Sequence, residues 1–175
     1  MTKRKNKFSA RSPTGGQRLS AGRTVQIALT VTGLWIALIA RAPLANAAGL
    51  DLSQFTGKVV YLDFWASWCV PCRQSFPWLN EVQAAYANKG LVVIGVDLDK
   101  EPELARKFID AHRPSFPLVS DPEGSIARSY NVKAMPTSLV IGRDGQVHAV
   151  HQGFHPEQEF EYVSHIEAAL RERAQ

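Results

Sequence analysis

Only two cysteines occur in this 175-residue chain, and they stand together in Cys69-Val70-Pro71-Cys72. With no second cysteine pair, half of a four-ligand structural zinc site is the weaker reading of these cysteines. Arg73 occupies the place where a haem-attachment Cys-x-x-Cys-His motif needs histidine. A disulfide closed over so few residues constrains the unfolded chain little, so stabilisation is a poor reason for the pair. Acidic residues are missing altogether from residues 1–47, which hold eight of the twenty Lys and Arg. Residues 48–175 hold the other twelve against all sixteen Asp and Glu, a net of −4. The overall +4 therefore comes from the leader, and residues 48–175 carry no basic footprint for a nucleic-acid backbone. Internal repeats are also absent, and a chain of this length with 45% hydrophobic residues suits one domain with a real core.

The leader has its own pattern. Lys3, Arg4, Lys5, Lys7, Arg11, Arg18 and Arg23 lie among Ser, Gly, Asn and Pro, followed by an apolar run from Val25 to Ala40 and then Ala45-Asn46-Ala47. A basic region, an apolar region and a small-x-small site read as a secretory signal cut before Ala48. The alternative is a retained membrane anchor through residues 25–40. Both readings place residues 48–175 outside the cytoplasm, in the periplasm or an equivalent extracytoplasmic space. No cysteine lies near the cleavage region, which excludes lipoprotein anchoring. The domain division is thus 1–47 and 48–175.

An exported chain whose only thiols form Cys-x-x-Cys lives where disulfides persist. The pair falls between a short apolar run, Val59–Phe64, which predicts a buried strand, and Arg73–Tyr86, where Phe76, Leu79, Val82, Ala85 and Tyr86 predict an amphipathic helix. A helix N-terminus offers unpaired N–H groups and the positive end of the macrodipole, which favour thiolate at Cys69. Cys69 is then the nucleophile, and Cys72, one turn on, the thiol that resolves a mixed disulfide. Pro71 suits the first turn, where its missing N–H costs no helical bond.

The remaining elements come in chain order. Leu91–Asp97 predicts an interior parallel strand, and Glu101–His112 a helix with Leu104, Phe108 and Ile109 as its apolar stripe. Phe116–Val119 predicts a short strand, and Asp121-Pro122-Glu123-Gly124 a turn capping a helix over Ser125–Tyr130. Ser138–Gly142 and Val147–Gln152 predict a hairpin joined through Asp144-Gly145. Glu157–Arg173 predicts a closing helix burying Phe160, Val163, Ile166 and Leu170. The β-α-β order implies a three-layer α/β fold, a central mixed sheet flanked by helices.

The run Asp-Phe-Trp-Ala-Ser-Trp-Cys-Val-Pro-Cys-Arg resembles the active site of the thioredoxin superfamily, and Val-Pro between the cysteines resembles its TlpA/ResA branch. The likeness covers about residues 50–173. It implies a thioredoxin-like fold with a helix-strand insertion at about Asp99–Asp121. It implies a cis-proline loop at Met135-Pro136-Thr137 facing the cysteines, with Met135 offering its backbone to an extended client segment. Gly153 matches a glycine near that loop, Trp68 a client-contacting aromatic, Trp65 a core position and Pro77 a helix-bending proline. Asp63 matches a buried acid that takes the proton of the resolving thiol, although many members of the TlpA-like branch carry Asn there.

The implied activity is that of a protein thiol:disulfide oxidoreductase without a cofactor. Its clients are envelope proteins, as in cytochrome c or copper-centre maturation, and a membrane thiol donor supplies electrons. Two rivals stand beside it. A disulfide-forming oxidase differs only in redox poise. A copper-handling chaperone would use His148, His151 and His155, but residues three apart on a strand point to opposite faces.

Overall fold

The structure is a computed structural model that describes residues 50–172. The signal or anchor expected in residues 1–47 lies outside the described residues. Among the described residues, no helix is long and apolar enough to cross a membrane.

Strand β1 (Val59–Trp65) is buried along its whole length, and its side chains divide by parity. Val59, Tyr61 and Trp65 enter one apolar cluster, whereas Val60, Leu62 and Phe64 enter another on the opposite face. Helix α1 (Val70–Tyr86) comes directly after it, then β2 (Leu91–Asp97), α2 (Pro102–His112), β3 (Leu118–Ser120), α3 (Ser125–Ser129), β4 (Thr137–Ile141), β5 (Val147–Gln152) and α4 (Glu159–Arg171). The sheet order is β3-β2-β1-β4-β5, with β1, β2 and β3 parallel and β4 and β5 antiparallel. Residues of α1, α2 and α4 cover the face of Tyr61 and Trp65, and α3 with the lead-in around Leu50 covers the other. This is the expected three-layer thioredoxin-like fold, with a helix and a strand, α2 and β3, between β2 and α3.

Local chemistry explains the boundaries. The α1 helix begins three residues before the expected Arg73, because Cys69 takes the N-cap position and Pro71 the first turn. Asp121 caps α3 from the preceding turn, accepting from the N–H groups of Ser125 (2.7 Å) and Ala127 (2.9 Å). Gly145 turns the hairpin at φ +75°, a conformation that favours glycine.

Two expected core residues are not in the core. Leu104 is 40% exposed, because the buried side of α2 is set by Ala105 and Phe108. Phe160 is 86% exposed, because α4 buries Tyr162, Ile166 and Ala169, and Phe160 lies about 200° around the helix from Tyr162. Val163 and Leu170 are only partly buried, and a short 3-10 turn over Pro156–Gln158 precedes α4 where one continuous helix was expected.

Candidate active site

The two cysteines sit where β1 passes through a short loop into α1, and they are joined in a disulfide. The sulfur of Cys69 accepts a hydrogen bond from the Cys72 backbone N–H at 3.3 Å, so an N–H at the start of the helix is aimed at the first sulfur. Cys72 is fully buried and Cys69 nearly so. Their neighbours are not: Trp68 is 63% and Val70 61% exposed, and Pro71 is half-buried. An apolar rim therefore surrounds the disulfide at the surface.

The loop before β4 lies at the end of the sheet where β1 leaves for the cysteines, since Thr137 pairs with Phe64. The Met135–Pro136 peptide is cis, and Met135 packs against the cluster that contains both cysteines. Gly153, at φ +80°, donates its N–H to the Pro136 carbonyl at 2.8 Å, which ties the end of β5 to the proline loop. Trp65 lies in the core, stacked on Phe108 at 4.6 Å. Pro77 lies inside α1 on its exposed side, where it cannot donate to the carbonyl four residues earlier.

Asp63 is the one charged residue of β1 and is 1% exposed. Strand parity puts it on the face of Tyr61 and Trp65, the face on which α1 and both cysteines pack. Its Oδ1 accepts from the Ser138 hydroxyl at 2.6 Å, and its Oδ2 has no hydrogen-bond partner. Burial pushes its carboxyl up to about 7, with the Ser138 bond pulling the other way. A carboxyl so placed exchanges protons near neutral pH, which an ordinary aspartate does not.

Other residues that shape the site carry little signal in the sequence. Asp99, just past β2, accepts from the Ser67 N–H at 2.7 Å and the Ser67 hydroxyl at 2.9 Å, clamping the loop before Cys69. The only local hint is two acids, Asp97 and Asp99, at the C-terminal end of a parallel strand, where open α/β sheets place their sites. Burial raises the Asp97 carboxyl to about 6, and the charge of Asp99 adds to the rise. Ser75 is buried in α1 and donates to the Cys72 carbonyl at 3.1 Å.

The three histidines separate. His148 pairs with Asp144 (3.0 Å) and Glu172 (3.3 Å) on the exposed side, and His155 lies near Glu157. His151 alone of the three turns inward, its Nδ1 at 3.4 Å from the Tyr61 hydroxyl and its Nε2 at 2.9 Å from Nδ1 of His165.

Comparison with known proteins places the chain among thiol-disulfide oxidoreductase relatives by sequence and by fold. The redoxin family model matches residues 40–170. Thiol-disulfide oxidoreductase ResA of Bacillus thuringiensis subsp. konkukian (strain 97-27) is 37% identical over 98 residues, which cover 56% of this chain. The match spans 57% of that relative's length. ResA of Geobacillus kaustophilus (strain HTA426) is 33% identical over 118 residues, covering 67% of this chain and 66% of the relative. A crystal structure from Chlorobium tepidum, described as a candidate thiol:disulfide interchange protein DsbE, superposes with a TM-score of 0.67 at 50% identity. It covers 69% of this chain and 86% of its own.

Proposed function

The chain belongs to the redoxin family, in the TlpA/ResA-like branch of the thioredoxin superfamily, and from that premise we propose that it is an extracytoplasmic thiol:disulfide oxidoreductase acting on envelope proteins. The observation that carries the proposal is the setting of the dithiol. Cys69 caps a helix, receives the Cys72 N–H and sits within an apolar rim beside a cis-proline loop, whereas Cys72 is sealed beneath it.

The reaction runs from the reduced protein. The Cys69 thiolate attacks one sulfur of a client disulfide, forming a mixed disulfide and releasing the client's other sulfur as thiolate. The N–H of Cys72 and the start of α1 stabilise the negative charge on Cys69. Trp68, Val70 and Met135 hold the client, its extended backbone lying along the Met135-Pro136 loop beside Gly153. Cys72 then loses its proton to Asp63 and attacks the Cys69 sulfur. The client leaves with two reduced sulfurs and the protein as the disulfide. Electrons return from a membrane thiol donor, and the branch likeness favours clients in cytochrome c or copper-centre maturation.

Trapping tests the reading. Cys72→Ser expressed in the native envelope retains clients as mixed disulfides, which mass spectrometry identifies; no covalent complexes at Cys69 would defeat the proposal. The reduction potential sets the direction. A value well below the about −120 mV of a strong oxidant supports the reductase, and a value near it assigns the protein to disulfide formation instead.

A further inference from the structure

We propose that Ser138, Tyr61, His151 and His165 form a proton relay connecting the buried Asp63 carboxyl to solvent on the α4 side of the molecule. The proposal rests on the reading of Asp63 as the base for Cys72.

The pairing of three strands creates the row. Asp63 on β1 stands opposite Ser138 on β4, and Ser138 stands opposite His151 on β5, so all three side chains project from the same face of the sheet. Tyr61, two residues before Asp63, shares that face. In β4 Ser138 sits in a fully buried strand, and in β5 His151 is the only buried residue. A hydrophobic layer of Val59, Val140, Trp78 and Ile166 surrounds this polar line, so each member must find its partner within it.

The partners run in one direction. With Asp63 protonated, its O–H donates to Ser138, which stands on the same face as Tyr61 and diagonal to it across the β1–β4 pair, the next polar side chain along the row. The Tyr61 O–H donates to Nδ1 of His151, 3.4 Å away. Nε2–H of His151 donates to Nδ1 of His165 at 2.9 Å, and His165 on α4 is half-buried, at the border with water. Each group passes its own proton outward and receives one from behind, so one proton leaves Asp63, which becomes the carboxylate that Cys72 needs as its base, one emerges at Nε2 of His165, and the groups between them stay neutral.

Neutral imidazole suits the central position, because only that form has both an acceptor and a donor nitrogen. The surroundings keep His151 neutral. Burial and then the adjacent His165 lower it to about 4, against a smaller upward pull from Glu161. Tyr162, the other titratable group of α4 against the ring, is 4.7 Å away between centroids and binds Gln158 and the His155 N–H instead. From β1, burial and then the nearby Asp63 raise the Tyr61 phenol, which therefore relays as the neutral hydroxyl.

The test uses reduced full-length protein reacting with dithiobis(nitrobenzoate), whose first coloured thiolate reports attack by Cys69 and whose second reports resolution by Cys72. About a unit below the Asp63 carboxyl's about 7, most molecules must shed the Asp63 proton before resolving. In weak buffer, His151→Gln and His165→Ala should slow the second release about tenfold, less than a positioned base contributes, and leave the first unchanged. Added imidazole, a mobile proton carrier, should restore the rate. Wild-type second-phase rates in both variants, or a slowing indifferent to buffer, overturn the relay. Asp63→Asn run in parallel separates the two ideas. If it remains slow while the histidine variants are normal, only the relay falls; if it too is normal, the base assignment falls and the relay with it.

Discussion

Asp99 holds Ser67 by two hydrogen bonds, one from the backbone N–H and one from the hydroxyl, two residues before the nucleophilic sulfur. The Asp99 N–H in turn donates to Asp97 at 3.0 Å, so the end of β2 and the loop after β1 form one connected turn beneath Cys69. Asp99→Ala leaves two donors of Ser67 without their acceptor and should cost about 1–3 kcal/mol in chemical denaturation. It also removes the neighbouring charge that contributes to the raised Asp97 carboxyl. The Asp97 carboxyl resonance in the variant should therefore titrate at lower pH than in the parent. An unmoved resonance would show that burial alone sets Asp97.

Asp63 and His151 pull the pH dependence of stability in opposite directions. The Asp63 carboxyl is raised from 3.8 to about 7, so the folded state keeps a proton that the unfolded chain has lost between those values. Its contribution is fully present below about pH 4 and is lost as pH rises through about 7. His151 is lowered from 6.5 to about 4, so its contribution is present above about pH 6.5 and is lost as pH falls toward about 4. The two slopes overlap and offset. In oxidised Asp63→Asn the rise from His151 is set against a fall from Asp97, raised to about 6, so urea unfolding should show a flatter curve than the parent's between about pH 4 and 7, and at about pH 8 the variant should exceed the parent by on the order of 2–4 kcal/mol. Superimposable curves for variant and parent would contradict the buried-carboxyl account.

Trp68 presents a large apolar surface beside a sulfur that is itself almost covered. Removing its indole should matter to a protein client that docks on the rim and not to a small disulfide that needs only the sulfur. Trp68→Ala is expected to lower kcat/KM for a protein disulfide about tenfold, roughly 1–2 kcal/mol of contact. Its rate with dithiobis(nitrobenzoate) should change less than about twofold and its unfolding free energy by about 0.5 kcal/mol or less. Equal losses with both substrates would move Trp68 from client contact to shaping the thiol.

The parts of the molecule that could be read in advance are those governed by local rules. Cys69, Pro71 and Cys72 declare a strand-to-helix junction by residue type and spacing, and the buried run of Val59–Phe64 needs no partner to be recognised. The Met135-Pro136 loop was legible only through resemblance, because its place at the end of β1 depends on how distant strands align. Asp99 and His151 were harder still. Whether an aspartate after a strand clamps a loop, or a histidine at the end of a hairpin turns inward, depends on which strand lies alongside, and β4 supplies that context for His151 through Ser138. The helix stripes failed at Leu104 and Phe160 for a related reason. Three- and four-residue spacing shows that a helix has an apolar side without showing where the sheet ends beneath it.

That distinction can be measured on α4. Ile166 is completely buried in the cluster containing Tyr61 and Trp78, whereas Phe160, about one and two-thirds turns earlier, projects into solvent. Counting apolar positions along the helix treats the two as equals. Burial does not: Ile166→Ala removes packed atoms and leaves a void, which should cost about 2–5 kcal/mol. Phe160→Ala removes a ring with little to lose and should remain within about 0.5 kcal/mol of the parent. Thermal or urea unfolding of the two oxidised variants decides it. A loss at Phe160 approaching that at Ile166 would mean that the exposed ring is covered in solution by something outside residues 50–172.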